Sequence, residues 1–181
     1  MTWLDMLLVA VGLAMDASVV AAANGMVMER PGIGKASAVG LTFGLFQGLM
    51  PLIGYFTGAV FSLVFARAAH WIAFGLLAMV GINMIRESLE EEEAPANRQL
   101  SPGRLLVQAV ATSLDALAVG VGFALVEADV FSASGVIAAV TAVLSFSAVH
   151  IGHRFGNALA GKAALAGGLI LILMGLKLAI Y

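Results

Sequence analysis

The chain has 181 residues, of which 61% are hydrophobic and 11% charged, and its formal net charge is −2. A soluble domain carries about 25% charged residues, so this composition excludes a water-covered globule and requires lipid around the chain. The small net charge gives no reason to expect nucleic acid or another strongly charged partner, and the absence of cysteine excludes disulfide frameworks and thiolate metal sites.

A helix needs about 20 mostly apolar residues to cross about 30 Å of hydrocarbon. Six stretches qualify in chain order: Trp3 to Met26, Ala36 to Phe61, His70 to Leu89, Leu105 to Val126, Phe131 to Ile151, and Ala163 to Tyr181. The expected fold class is therefore an all-α integral membrane protein with six transmembrane helices. Ala21-Ala22-Ala23 resembles a signal-peptide cleavage site, but no Lys or Arg precedes it, and Asp5 and Asp16 interrupt the segment. Turn formers and charges separate the spans at Glu29-Arg30-Pro31-Gly32, at the acidic stretch Glu90 to Pro102, and at Glu127-Ala128-Asp129. The run Glu90 to Glu93 reads as a solvated linker, or as a cation-gathering cytoplasmic mouth.

Positive charge sets orientation. Arg30, Lys35, Arg86, Arg98, Arg104, Arg154 and Lys162 follow the first, third and fifth spans, which leaves only Arg67 and Lys177 of the nine basic residues elsewhere. The odd-numbered loops are therefore expected in the cytoplasm and both termini outside.

The chain also repeats itself. Met15-Asp16-Ala17 in the first span matches Leu114-Asp115-Ala116 in the fourth, and Gly54 to Gly58 in the second matches Gly152 to Gly156 in the fifth. The third and sixth spans align more weakly, on Gly81 and Gly175. The halves are then residues 1–89 and 103–181, joined by an acidic cytoplasmic linker over 90–102. Three spans per half is an odd number, so the second half enters the membrane inverted, an arrangement that places a transporter's site near the midplane.

An Asp at the centre of a spanning helix costs about 2.5–3.5 kcal/mol on insertion scales. Asp16 lies near mid-span, and Asp115 lies about 16 Å beyond Arg104 at 1.5 Å per residue. Protonation or a structural pairing would meet that cost, with Arg154 and Lys177 as the available cations, both nearer their helix ends. Intramembrane carboxylates more often mark an ion or proton path. Gln108, Thr112, Asp115 and Gly122 share one helix face; Gly12, Asp16, Val20 and Ala23 share another, with Asn24 beside it. Ser113 joins only if its helix is broken. Pro51 leaves the Gln47 carbonyl without its usual helical partner, so the backbone and side chain of Gln47 are both candidates to face a cavity. Glu87, one turn from Asn83, and the fifth-span residues Ser145, Ser147 and His150 are further polar groups, the serines better explained by hydrogen bonds between helices. Oxygen donors of this kind suit Mg, Ca or Mn, and Met15 and Met50 would add soft contacts beside them.

Leu13-Ala14-Met15-Asp16-Ala17 and Ala111-Thr112-Ser113-Leu114-Asp115-Ala116-Leu117-Ala118-Val119-Gly120-Val121-Gly122 closely resemble the paired motifs of the MntP family of bacterial manganese efflux pumps. Phe43 to Gly54 and His70 to Phe74 are similar to that family as well, as are the acidic central loop and the glycine-rich last helix. The resemblance implies a six-helix plasma-membrane protein, distantly related to LysE-type exporters, that moves Mn(II) out of the cytoplasm and requires Asp16 and Asp115. The chain departs from the family pattern at Gln47, where some members carry an acid, and at Ala23-Asn24-Gly25, where Gly-Lys-Gly is common.

The expected activity is thus Mn(II) export by alternating access, not enzymatic catalysis. Asp16 and Asp115 are the expected central ligands. Gln47, Thr112 and Ser113 come next as metal candidates, followed by Asn24, Gln108 and Glu87. No resident cofactor is expected. No Gly-x-x-x-x-Gly-Lys-Ser/Thr motif is present to bind a nucleotide, so protons are the expected counter-ion. The rivals are export of another divalent cation or a small amino acid, and an intramembrane aspartyl protease. The Gly-x-Gly-Asp sequence of such proteases surrounds neither aspartate.

Overall fold

The structure, a computed structural model, describes residues 3–28, 30–89, 101–125, 128–158 and 163–180; within the helices, the side chains at 58–70, 73, 84, 87–89, 125, 157–158, 163–164, 175 and 178–180 fall outside the description. The calls on residues 90–100 and on Glu29, Glu127 and Lys162, and on the side chains of Arg67 and Glu87, thus lie outside the described residues.

Five helices account for nearly all of the rest: α1 (Trp3–Val27), α2 (Ile33–Leu89), α3 (Pro102–Leu125), α4 (Val130–Ala158) and α5 (Ala163–Ile180). The starts of two are set by local chemistry. Ser101 caps α3 by accepting the Arg104 N–H at 3.2 Å, with Pro102 in the first helical position, where a missing N–H costs nothing. Asp129 caps α4, accepting the backbone N–H of Ser132 at 3.2 Å and its hydroxyl at 2.6 Å. Those two donors hold the Asp129 carboxyl below the usual carboxylate range.

One expected boundary is corrected. Helical structure runs through α2 for 57 residues, without the expected loop between Phe61 and His70. The intervening Ser62-Leu63-Val64-Phe65-Ala66-Arg67-Ala68-Ala69 contains neither Gly nor Pro to stop a helix. Yet α2 is not straight. Gln47 bonds to α1 beside Asp16, Asp16 bonds to Lys177, and α5 lies against Gly81 at Gly168. A straight α2 would hold Gln47 and Gly81 about 50 Å apart, farther than those links reach. The helix bends and returns to the bundle, where Leu77 and Val80 share a core with Val39 and Phe43.

Four helical segments are long and apolar enough to cross a membrane: Trp3–Val27, Ile33–Thr57, Pro102–Ala124 and Val130–Gly156; Phe74–Asn83 and Leu165–Met174 are shorter apolar stretches among the described residues. The bundle is apolar on the outside. Leu4, Leu8, Val11, Met15 and Val19 line the outer face of α1, while Asn24, Gln47, Gln108, Thr112, Ser134, Thr141 and Ser145 are buried. Such a surface needs lipid, and buried polar groups need partners inside the bundle.

Glycine allows the helices to close on one another. A Cβ at Gly152 or Gly156 would collide with the carbonyl of Ala22 or Met26, so α4 lies backbone-to-backbone on α1. Gly54 and Gly120 bring α2 equally close to α3, at Leu117 and Pro51. Gly81 and Gly168 each face the other's carbonyl, which brings α2 and α5 together backbone-to-backbone.

Candidate ion site between the helices

The repeated Asp-Ala pairs lie on α1 and α3. Asp16 is buried, and Asp115 is half-buried. Oδ1 of Asp16 accepts a hydrogen bond from Nζ of Lys177 at 3.0 Å, an ion pair joining α1 to α5. Asp115 lies within electrostatic reach of both Asp16 and Lys177. One Asp115 oxygen, Oδ1, folds back to accept the Ala116 N–H at 2.8 Å. Lys177, expected near its helix end, is thus the cation that pairs with Asp16. Its signal was a single charge in α5, whose other described residues are all apolar.

Gln47 is fully buried on α2, and its amide nitrogen donates to the Leu13 carbonyl at 3.1 Å, one turn before Asp16. Its Oε1 has no partner among the described residues. Asn24 and Gln108 also face each other between α1 and α3, but each satisfies the other: Asn24 donates to Gln108 at 2.7 Å and Gln108 donates back at 3.1 Å. Thr112 and Ser113 are buried and donate to their own helix, to the carbonyls of Gln108 and Val110 at 2.9 and 3.1 Å. Their oxygens keep lone pairs, but nothing in these bonds points them at the aspartates.

Other polar groups sort less as expected. Met15 is 60% exposed on the outer face, so it adds no soft contact beside Asp16. Asn83 and Ser147 are exposed, and the Ser147 hydroxyl bonds to Val143 within its own helix. Nδ1 of His150 lies 3.1 Å from the Phe146 carbonyl. On α4, Ser134, Thr141 and Ser145 are buried with no partner for their hydroxyls among the described residues. Their spacing puts them on one helix face, a pattern that the sequence carries as polar residues 7 and 4 positions apart in an apolar span.

Among the described residues, no three His, Cys, Asp or Glu side chains gather as a metal cluster. Any ion held here would combine two carboxylates with neutral oxygens, a donor set suited to hard divalent cations.

Comparison with known proteins adds an independent line. The family described as "Mntp: Putative manganese efflux pump" matches residues 30–179. A protein named "Putative manganese efflux pump MntP" from Desulfitobacterium hafniense is 45% identical, over 97% of this chain and 93% of its own length. Proteins of the same name from Acetivibrio thermocellus and Mannheimia succiniciproducens are 44% and 42% identical, each over 98% of this chain and over 90% and 96% of their own lengths. No solved structure matches the chain.

Proposed function

The chain belongs to the MntP family, a family of transporters rather than enzymes, and from that membership we propose that it exports Mn(II) from the cytoplasm across the bacterial plasma membrane. The observation that supports the reading is an ion pair of Asp16 with Lys177 inside an apolar bundle, with the other repeated aspartate, Asp115, within electrostatic reach of both. Asp16 and Asp115 hold the ion. Gln47, whose amide bonds one turn before Asp16 and whose buried Oε1 has no partner among the described residues, is the first neutral donor. Thr112 and Ser113 add hydroxyl oxygens only after a shift of α3. Asn24 and Gln108 serve as a clamp between helices.

The two halves, residues 1–89 and 103–181, form an inverted repeat of three spans each. Supporting this, the second-span glycine Gly54 packs on the fourth span and the fifth-span glycine Gly152 packs on the first, so each half leans on the other in the same way. The bend in α2 supplies the sixth crossing. The basic loops lie in the cytoplasm and both termini outside.

Moving a divalent cation out against an inside-negative potential costs about 4.6 kcal/mol per 100 mV. An open pore would let manganese in, so export needs an energy source, and inward proton flow through alternating access supplies it. Everted membrane vesicles test this: ATP-independent Mn(II) uptake should collapse when a protonophore removes the proton gradient. Uptake that persists unchanged without the gradient contradicts proton coupling.

A further inference from the structure

Lys177 has no place in the ligand set, yet it holds the Asp16 oxygen that an ion would need. Its Nζ sits 3.0 Å from Oδ1 of Asp16, and its charge also reaches Asp115. The lysine side chain is 58% exposed while that of Asp16 is 13% exposed, so the ammonium reaches into the group from the flank of the bundle on a flexible four-carbon stem. Every other described residue of α5 is apolar, so this charge is a costly placement that its partner has to offset.

We infer that Lys177 is a tethered substitute for the transported cation, occupying the Asp16 carboxylate when the site is empty and displaced from it when a divalent cation binds. The inference rests on the Mn(II) export reading above. An ammonium and a dication cannot share one carboxylate oxygen at contact distance, because their charges repel across a weakly screening interior. Occupancy of Oδ1 by the metal and the Lys177–Asp16 pair are therefore mutually exclusive. Without the lysine, the metal-free site would return with two carboxylates to be neutralised by protons alone. With it, the ammonium neutralises Asp16, Asp115 is left for the inbound proton, and the metal-free protein can reorient to the cytoplasm. The lysine remains charged throughout and, being covalently attached, is never exported.

This account separates two reactions of the same carrier. Net export requires the empty protein to return, whereas exchange of Mn(II) for Mn(II) across the membrane does not. The test uses the full-length protein in proteoliposomes, with radioactive Mn(II), and compares native protein with Lys177→Met. The variant should lose net export by about tenfold or more while equilibrium exchange stays within about twofold of native. Mn(II) affinity should rise by about tenfold, because an internal competitor is gone. Lys177→Arg covers the case in which Lys177→Met does not fold. Its guanidinium pairs more strongly with the carboxylate, so Mn(II) affinity should fall, and unchanged affinity overturns the inference. Native net export by Lys177→Met also overturns it, as does a folded variant that loses exchange and net export together. If native protein exchanges no Mn(II), the manganese reading itself fails, and the substitution role falls with it.

Discussion

Two polar layers join α1 to the rest of the bundle, and they are built on opposite principles. In one, Asn24 and Gln108 exchange hydrogen bonds at 2.7 and 3.1 Å, and each amide satisfies the other. In the other, about 12 Å away along α1, Asp16 pairs with Lys177 within electrostatic reach of Asp115, so negative charge is in excess, and Gln47, bonded one turn before Asp16, keeps an oxygen with no partner among the described residues. Burial is the same in kind, but the bonding is closed in the first and open in the second. A closed pair fixes two helices together. An open group has capacity left for something else, and an oxygen-lined group with excess negative charge has capacity for a cation.

Substitutions should separate the layers. The largest effect belongs to the charged one: Asp16→Asn or Asp115→Asn should reduce Mn(II) efflux from cells by about 100-fold or more, with protein level in the membrane unchanged. Cells lacking their own exporter and grown in excess manganese provide the readout. The closed layer should respond in stability instead. Asn24→Ala leaves a buried amide unpaired and should cost about 1–3 kcal/mol in a thermal or denaturant assay of the purified protein. Replacing both partners, as Asn24→Leu with Gln108→Leu, should cost less than the sum of the single changes and leave transport working. A double variant that is stable yet inactive would put the amides among the ligands and erase the distinction.

Gln47 sits between the two layers in character, bonded at one atom and free at the other. Gln47→Leu should weaken Mn(II) binding by about tenfold, while Gln47→Glu, which adds a charge beside Asp16, should bind at least as well as native. Equilibrium binding to detergent-solubilised protein distinguishes these. The smallest effect is expected far from both layers. Asp129→Ala removes the cap of α4 and should lower the melting temperature slightly without changing transport. Because folding lowers the Asp129 pKa, the cap stabilises the fold in full above the usual carboxylate range. Its contribution disappears as acidification protonates the folded carboxylate, so native and variant melting temperatures should converge in strong acid.

Much of this was legible in the sequence, and the exceptions have physical reasons. Apolar runs of spanning length revealed the membrane class, and the Asp16 and Asp115 motifs stood out because charge is rare in such runs. The path of α2 was not legible: a search for polar breaks stops at Arg67, but helix formers on both sides of it keep the backbone helical. Lys177 was underrated because a lysine near a helix end usually reaches for the membrane surface. Only the packing of α5 against α1 shows that it turns inward to Asp16. Met15 failed as a ligand for a rotational reason, since adjacent residues on a helix point about 100° apart and Asp16 takes the inner direction. The pairing of Asn24 with Gln108 depends on how α1 and α3 meet, which neither segment encodes alone.

The most direct test of the central claim is equilibrium binding of Mn(II) to purified native protein, Asp16→Asn and Asp115→Asn, each shown to be folded by its thermal transition. One ion per protein is predicted for native, and about 100-fold weaker binding for each variant alone. Native affinity in either single variant would contradict a shared site held by both acids.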